Sequence, residues 1–261
     1  MYSAMLNRGM GMPATTALTR PDVEPLPSIG KRLDGLPWKE LQESLWELGY
    51  AVTPPILTAA ECSGLRGLYG RDELFRSQVI MERLRFGKGD YKYFANPIPD
   101  IVRELRTHAY PYLAKAANEW AEALGEKGRF PAEHAAFLER CHRAGQKRPT
   151  PLLLHYEQDG YNCLHQDIYG AVAFPLQMVV LLGQRGRDWE GGEFVLVEQR
   201  PRAQSKAEVI SAGEGCAVIF TTRYRPVQGA RGYYRVNMKH GVARVRSGSR
   251  YTLGIIFHDA E

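Results

Sequence analysis

The chain has 261 residues, a formal net charge of +5 and 44% hydrophobic residues, enough to bury a substantial core and ordinary for a soluble globular enzyme. It holds no run of about 18 apolar residues that could span a membrane. Its four cysteines, Cys62, Cys141, Cys163 and Cys216, form no CxxC pair, which argues against a zinc knuckle or disulfide framework and suits reduced thiols in a cytoplasmic protein.

Residues 1–30 mix Met, Gly, Pro and Thr without apolar periodicity and lack the apolar stretch of a signal peptide, so a disordered lead-in is expected. Behind Pro37, the positions Trp38, Leu41, Leu45 and Leu48 recur at helical spacing. Gly49-Tyr50-Ala51-Val52 follows as a short strand, and Thr58-Ala59-Ala60-Glu61 is a capping box that opens a second helix. The segment 83–94 is broken by glycine and rich in cations and aromatics, a mixture suited to a lid over an aromatic, anionic substrate or to a twisted hairpin with a solvated face. Helices are expected over 100–125, with Pro111 kinking or splitting them, and over 131–144. From Pro151 onward come short β-rich runs at 152–157, 174–182, 193–198, 216–221, 233–245 and 250–258, separated by Gly-rich turns, the pattern of a sandwich or jelly roll. The stretch 200–206 reads as an exposed loop. The expected organisation is a lead-in over 1–30, a helical and substrate-lid region over 31–150, and a β core over 151–261.

His165 and Asp167, two residues apart in an extended segment, point their side chains to one face. With a second imidazole they make the two-histidine, one-carboxylate set that suits non-haem Fe(II) and leaves positions open for a co-substrate and O2. His240 and His258 are the candidates for that imidazole. A thiolate from Cys163 would not suit the hard oxygen donors such a site must admit. Arg250, ten residues after His240, can hold a carboxylate as a charge-assisted fork.

This ordered set resembles the 2-oxoglutarate and Fe(II)-dependent oxygenases. The run Tyr156-Glu-Gln-Asp-Gly-Tyr-Asn-Cys-Leu-His165-Gln-Asp167 looks like that superfamily's tyrosine, turn and metal motif. Trp189-Glu-Gly-Gly-Glu-Phe194 looks like its turn into a core strand, and His240 through Leu253 like its closing hairpin. The resemblance is nearest to a little-characterised bacterial branch grouped with the AlkB-type nucleic-acid dealkylases. It implies an α+β fold with a double-stranded β-helix (jelly-roll, cupin-like) core and an N-terminal helical layer, with Fe(II) as cofactor and 2-oxoglutarate and O2 as co-substrates. It places the co-substrate on Arg250, supported by Tyr156 and, more remotely, Asn162. If Arg250 holds that co-substrate, His258 lies about 26 Å away along the same strand, whereas a hairpin would bring Arg250 back beside His240; His240 is therefore the expected third ligand. The implied prime substrate is an alkylated base in nucleic acid, contacted by Tyr91, Lys92 and Tyr93 and by Arg231 and Arg235, where cations interleave with tyrosines. The alternative is hydroxylation of a protein side chain or small molecule. The chain departs from the AlkB-type branch at Ile256, where an arginine is usual, and at Leu154, where an asparagine is usual.

Overall fold

The computed structural model describes residues 26–168 and 170–261, so the expected lead-in lies outside the described residues up to position 25. Helices α1 (Ile29–Asp34) and α2 (Trp38–Leu48) precede β1 (Tyr50–Val52) and α3 (Ala59–Gly67). There follow β2 (Phe75–Ile80), the single turn α4 (Met81–Leu84), β3 (Gly87–Lys88), β4 (Asp90–Phe94), α5 (Asp100–Ala123) and α6 (His134–Arg143). The remainder runs through β5 (Leu152–Tyr156), β6 (Tyr161–His165), β7 (Leu176–Leu181), β8 (Trp189–Gly191), β9 (Phe194–Gln199), β10 (Lys206–Ile210), β11 (Ala217–Thr221), β12 (Tyr224–Gly229), β13 (Gly232–Val242), β14 (Val245–Gly248) and β15 (Arg250–Ile256).

Two antiparallel sheets face each other. The larger has the order β1-β11-β7-β15-β5-β4-β2; the smaller has β10-β9-β13-β6-β3, with β12 paired to β13. The central strands β11, β7 and β15 of the larger sheet read as nearly continuous apolar runs because both faces are covered. On β7, Met178 and Val180 pack outward with α5, while Val179 and Leu181 pack inward against Phe194, Leu196 and Val242 of the smaller sheet. The same period of two turns Leu253 and Ile255 of β15 toward the helices and leaves Arg250, Thr252 and Ile256 facing the interior cavity.

The capping box at Thr58 is formed, with the Thr58 side chain accepting from the Glu61 backbone N–H and Glu61 accepting from that of Thr58. Pro111 does not split its helix: α5 runs unbroken from Asp100 to Ala123. A proline inside a helix costs about 3 kcal/mol. That is offset by burial on both sides of it, since Leu105, Tyr110, Leu113 and Trp120 are all in the core, each worth roughly 1.5–3 kcal/mol. The 83–94 segment is not a free lid. Its β3 pairs with β6 of the smaller sheet and its β4 with β2 and β5 of the larger, so it straps the two sheets together beside the cavity.

Buried Arg106 of α5 bonds the Ile256 carbonyl (2.8 Å) and Asp259 (2.8 Å), fixing the end of β15. Nearby, His134 Nε2 meets the Phe257 carbonyl at 2.8 Å, and His258 Nδ1 accepts from the Phe174 backbone N–H at 3.2 Å. Burial, with Arg106 close by, pushes both imidazoles down to about 4. Unfolded, each titrates near 6.5, so between these values the unfolded chain binds protons that the native state does not, and stability rises with pH. Urea midpoints should therefore climb from about pH 4 to about 6.5, and the climb should shrink in a His134→Gln, His258→Gln double variant.

Candidate active site

β6 and β13 bring the two histidines together, because His165 and His240 are directly paired across the two strands and their rings lie 4.2 Å apart. The chain leaves β6 after His165, and Gln166 pins the exit by donating to the Arg223 and Met238 carbonyls at 2.8 and 2.9 Å. Asp167 is thereby turned inward. Its carboxylate lies 3.6 Å from His165 Nε2 and 3.2 Å from His240 Nε2, and the three possible ligand atoms fall within 4.8 Å of one another. Gly241 permits this closeness, since a Cβ there would meet the Asn162 carbonyl oxygen at 2.7 Å.

The electrostatics favour a cation. Burial alone would raise the Asp167 carboxyl, but His240, His165 and Gln177 together hold it well below the usual carboxylate range. Burial and the neighbouring His240 lower the His165 imidazole. His165 Nδ1 lies 2.7 Å from the Cys163 carbonyl, so it donates there and leaves Nε2 as the lone pair facing Asp167. Gln177 of β7 donates to Asp167 at 2.7 Å. Sequence reasoning missed Gln177, although it was visible as the one polar residue within the apolar run of β7.

Arg250 opens β15 opposite Tyr156 and is 2% exposed. Its Nε is buried without a hydrogen-bond partner, and among the described residues its guanidinium forms no ion pair. The group sits between two rings, 5.6 Å from Tyr156 and 5.9 Å from Trp189. Tyr156 is fully buried, its phenol pushed up to about 12 by burial against the opposing pull of Arg250, and it accepts from Asn162 at 3.4 Å. Arg250 does not reach His240 by a hairpin, as the sequence suggested. β14 pairs with β8, and β13 and β15 lie in different sheets, so the arginine faces the histidines across the sandwich.

One cavity of about 440 Å³ joins these groups: His165, Asp167, His240, Arg250, Tyr156 and Asn162 all line it, together with Tyr91 and Tyr93. Lys92 does not. Strand alternation turns it to the far face of β4, where its ammonium pairs with Asp72 at 2.6 Å and lies 4.6 Å from the Tyr69 ring. Arg231 and Arg235 are also absent from the lining; Arg231 sits exposed at the β12–β13 turn, and Arg235 pairs with Glu126 at 2.8 Å. Arg85 and Phe86 of the strap line the cavity as well. His258 lies outside the cavity lining and is fully buried.

Residues 89–260 match a family model, Oxygenase-NA, described as an oxygenase catalysing oxidative methylation of damaged DNA. Two uncharacterized proteins from strains of Mycobacterium tuberculosis are each 44% identical over 167 residues, covering 64% of this chain and 72% of theirs. Among solved structures, an oxidoreductase of the 2OG-Fe(II) oxygenase family from Burkholderia pseudomallei aligns over 85% of this chain and 92% of its own (TM-score 0.51, 16% identity). The non-heme alpha-ketoglutarate-dependent epimerase SnoN of nogalamycin biosynthesis aligns over 83% and 80% (TM-score 0.52, 16% identity), and a Pseudomonas putida prolyl-4-hydroxylase over 83% and 96% (TM-score 0.50, 14% identity). The sandwich is thus the double-stranded β-helix of these enzymes, its His165, Asp167 and His240 cluster could hold a metal ion, and the chain belongs to the Oxygenase-NA family of oxygenases.

Proposed function

We propose that His165, Asp167 and His240 hold the Fe(II), that Arg250 and Tyr156 seat the 2-oxoglutarate, and that the prime substrate is an alkylated base in nucleic acid, whose oxidised methyl group leaves as formaldehyde. The observation that carries this reading is Arg250, a fully buried cation that has no ion-pair partner among the described residues and faces the same cavity as a two-imidazole, one-carboxylate cluster. A buried charge of that kind calls for an anionic ligand, and the donor set suits Fe(II).

Bound iron and keto acid supply the oxidising power of O2 at a C–H bond. The residues' part is positioning. The Cys163 carbonyl keeps the His165 tautomer with Nε2 free to ligate, and Gln177 fixes the Asp167 carboxylate. The raised Tyr156 phenol stays protonated, and because its oxygen accepts from Asn162 its own proton is available to a carboxylate. Tyr91 and Tyr93 on the cavity wall, with Arg85 and Phe86, offer stacking faces and a cation to a base and its phosphate. The damaged DNA named in the family's description supports the same substrate class.

The test is formaldehyde release and base-resolved mass analysis over a panel of methylated oligonucleotides. Product is expected, with oligonucleotide affinity falling roughly 40-fold between 50 and 200 mM salt if about three phosphates are contacted. Keto-acid turnover without product or salt-dependent binding would favour hydroxylation of a protein side chain or small molecule. That second reading draws on Ile256, which gives the cavity an apolar wall where the AlkB-type branch usually carries an arginine.

A further inference from the structure

Arg250 lines two cavities. Besides the main one, a polar pocket of about 280 Å³ borders it, lined among others by Gln184, Arg185, Trp189, Glu193 and Ser211. None of His165, Asp167 and His240 reaches this second pocket; Arg250 and Phe194 are the lining residues common to both. Arg250 is therefore the junction of the two, with the Tyr156 ring in the main-cavity lining and the Trp189 ring in the pocket lining. Gly192, in the pocket lining, leaves room for the Arg250 side chain: at φ +61, a Cβ there would meet Arg250 Cδ and Val245 Cγ2 at 2.9 Å. Farther out Arg185 holds Glu193 at 3.0 Å, so the pocket presents two guanidinium groups against one carboxylate.

We infer that this far-end pocket is the route by which the dicarboxylates, keto acid in and shortened product out, reach and leave Arg250. The inference rests on the proposed seat of 2-oxoglutarate at Arg250. A substrate docked over Tyr91, Tyr93 and Phe86, as proposed, would occupy the main cavity, so exchange through that cavity would require the substrate to leave first. The far-end pocket needs no such departure: it is polar, net cationic and ends on the one buried group that recognises a carboxylate. An anion entering there meets Arg185 and then Arg250.

The experiment is stopped-flow mixing of the Fe(II)-loaded protein with 2-oxoglutarate under anaerobic conditions, read by the absorbance of the iron–keto acid complex, with Ser211→Phe and Ala212→Phe as plugs that touch neither the metal cluster nor Arg250. Association and dissociation should both slow at least tenfold while Kd stays within twofold, the signature of an obstructed path to an intact site. Unchanged rates, or affinity lost as much as the rate, would overturn the inference. Arg185→Ala, which adds no bulk, should slow association several-fold at low salt and little at high salt, and it keeps the test readable if a plug fails to fold. Arg250→Leu separates the two readings: unchanged keto-acid affinity in that variant rejects the assigned seat, whereas lost affinity with plug-insensitive exchange rejects only the route.

Discussion

Alanine at His165, Asp167 or His240 is expected to remove stoichiometric Fe(II) binding and to lower turnover at least about 100-fold, while His258→Ala keeps its iron. The contrast is set by geometry. His240 Nε2 lies 3.2 Å from the Asp167 carboxylate in a cluster whose ligand atoms span no more than 4.8 Å. His258, one strand-length away from Arg250, accepts from the Phe174 backbone N–H instead. A graded result is expected at Gln177, which touches Asp167 rather than any metal position: Gln177→Leu should weaken Fe(II) affinity about 10–100-fold, the usual cost of losing a group that orients a ligand. Anaerobic titration with Fe(II) or Mn(II) reads all five variants. An His240→Ala protein that holds iron normally, beside an His258→Ala protein that does not, would reverse the assignment.

What could be read before the structure depended on whether the signal was local. The capping box at Thr58, the helix behind Pro37 and the i, i+2 spacing of His165 and Asp167 each involve neighbours within one turn or one strand, and a single side chain decides them. The apolar runs of β7, β11 and β15 were equally legible, because strands covered on both faces have little polar interruption. Pairing across the sandwich was not. Nothing in the spacing of His240 and Arg250 distinguishes one hairpin from two strands in opposite sheets, since β14 leaves to pair with β8 and hides the crossover. Lys92 shows the same limit at smaller scale: its composition suits a substrate contact, but strand alternation between Tyr91 and Tyr93 sends it to Asp72. Arg235 likewise finds Glu126, 109 residues away in sequence.

The effect expected of Arg250→Leu runs in opposite directions with and without co-substrate. Without it, the wild-type protein keeps a fully buried guanidinium whose Nε has no partner, and burial already pulls that group's pKa below its ordinary value. Replacing an uncompensated buried charge by an apolar side chain is neutral or stabilising, so the ligand-free variant should melt no lower than wild type. With 2-oxoglutarate, the carboxylate loses its fork, a loss on the order of 2 to 5 kcal/mol. At about 1.36 kcal/mol per tenfold, the lower bound already raises the KM for 2-oxoglutarate roughly 30-fold, and the rise in Tm that the keto acid gives the wild type should disappear. Fe(II) affinity should change little, because no metal-cluster residue contacts the guanidinium. Arg250→Lys should recover part of the keto-acid affinity, since an ammonium restores the charge but not the two-pronged geometry. Equal keto-acid affinity in wild type, Leu and Lys forms would mean that the carboxylate is held elsewhere, and the buried arginine between Tyr156 and Trp189 would then need another anion to explain it.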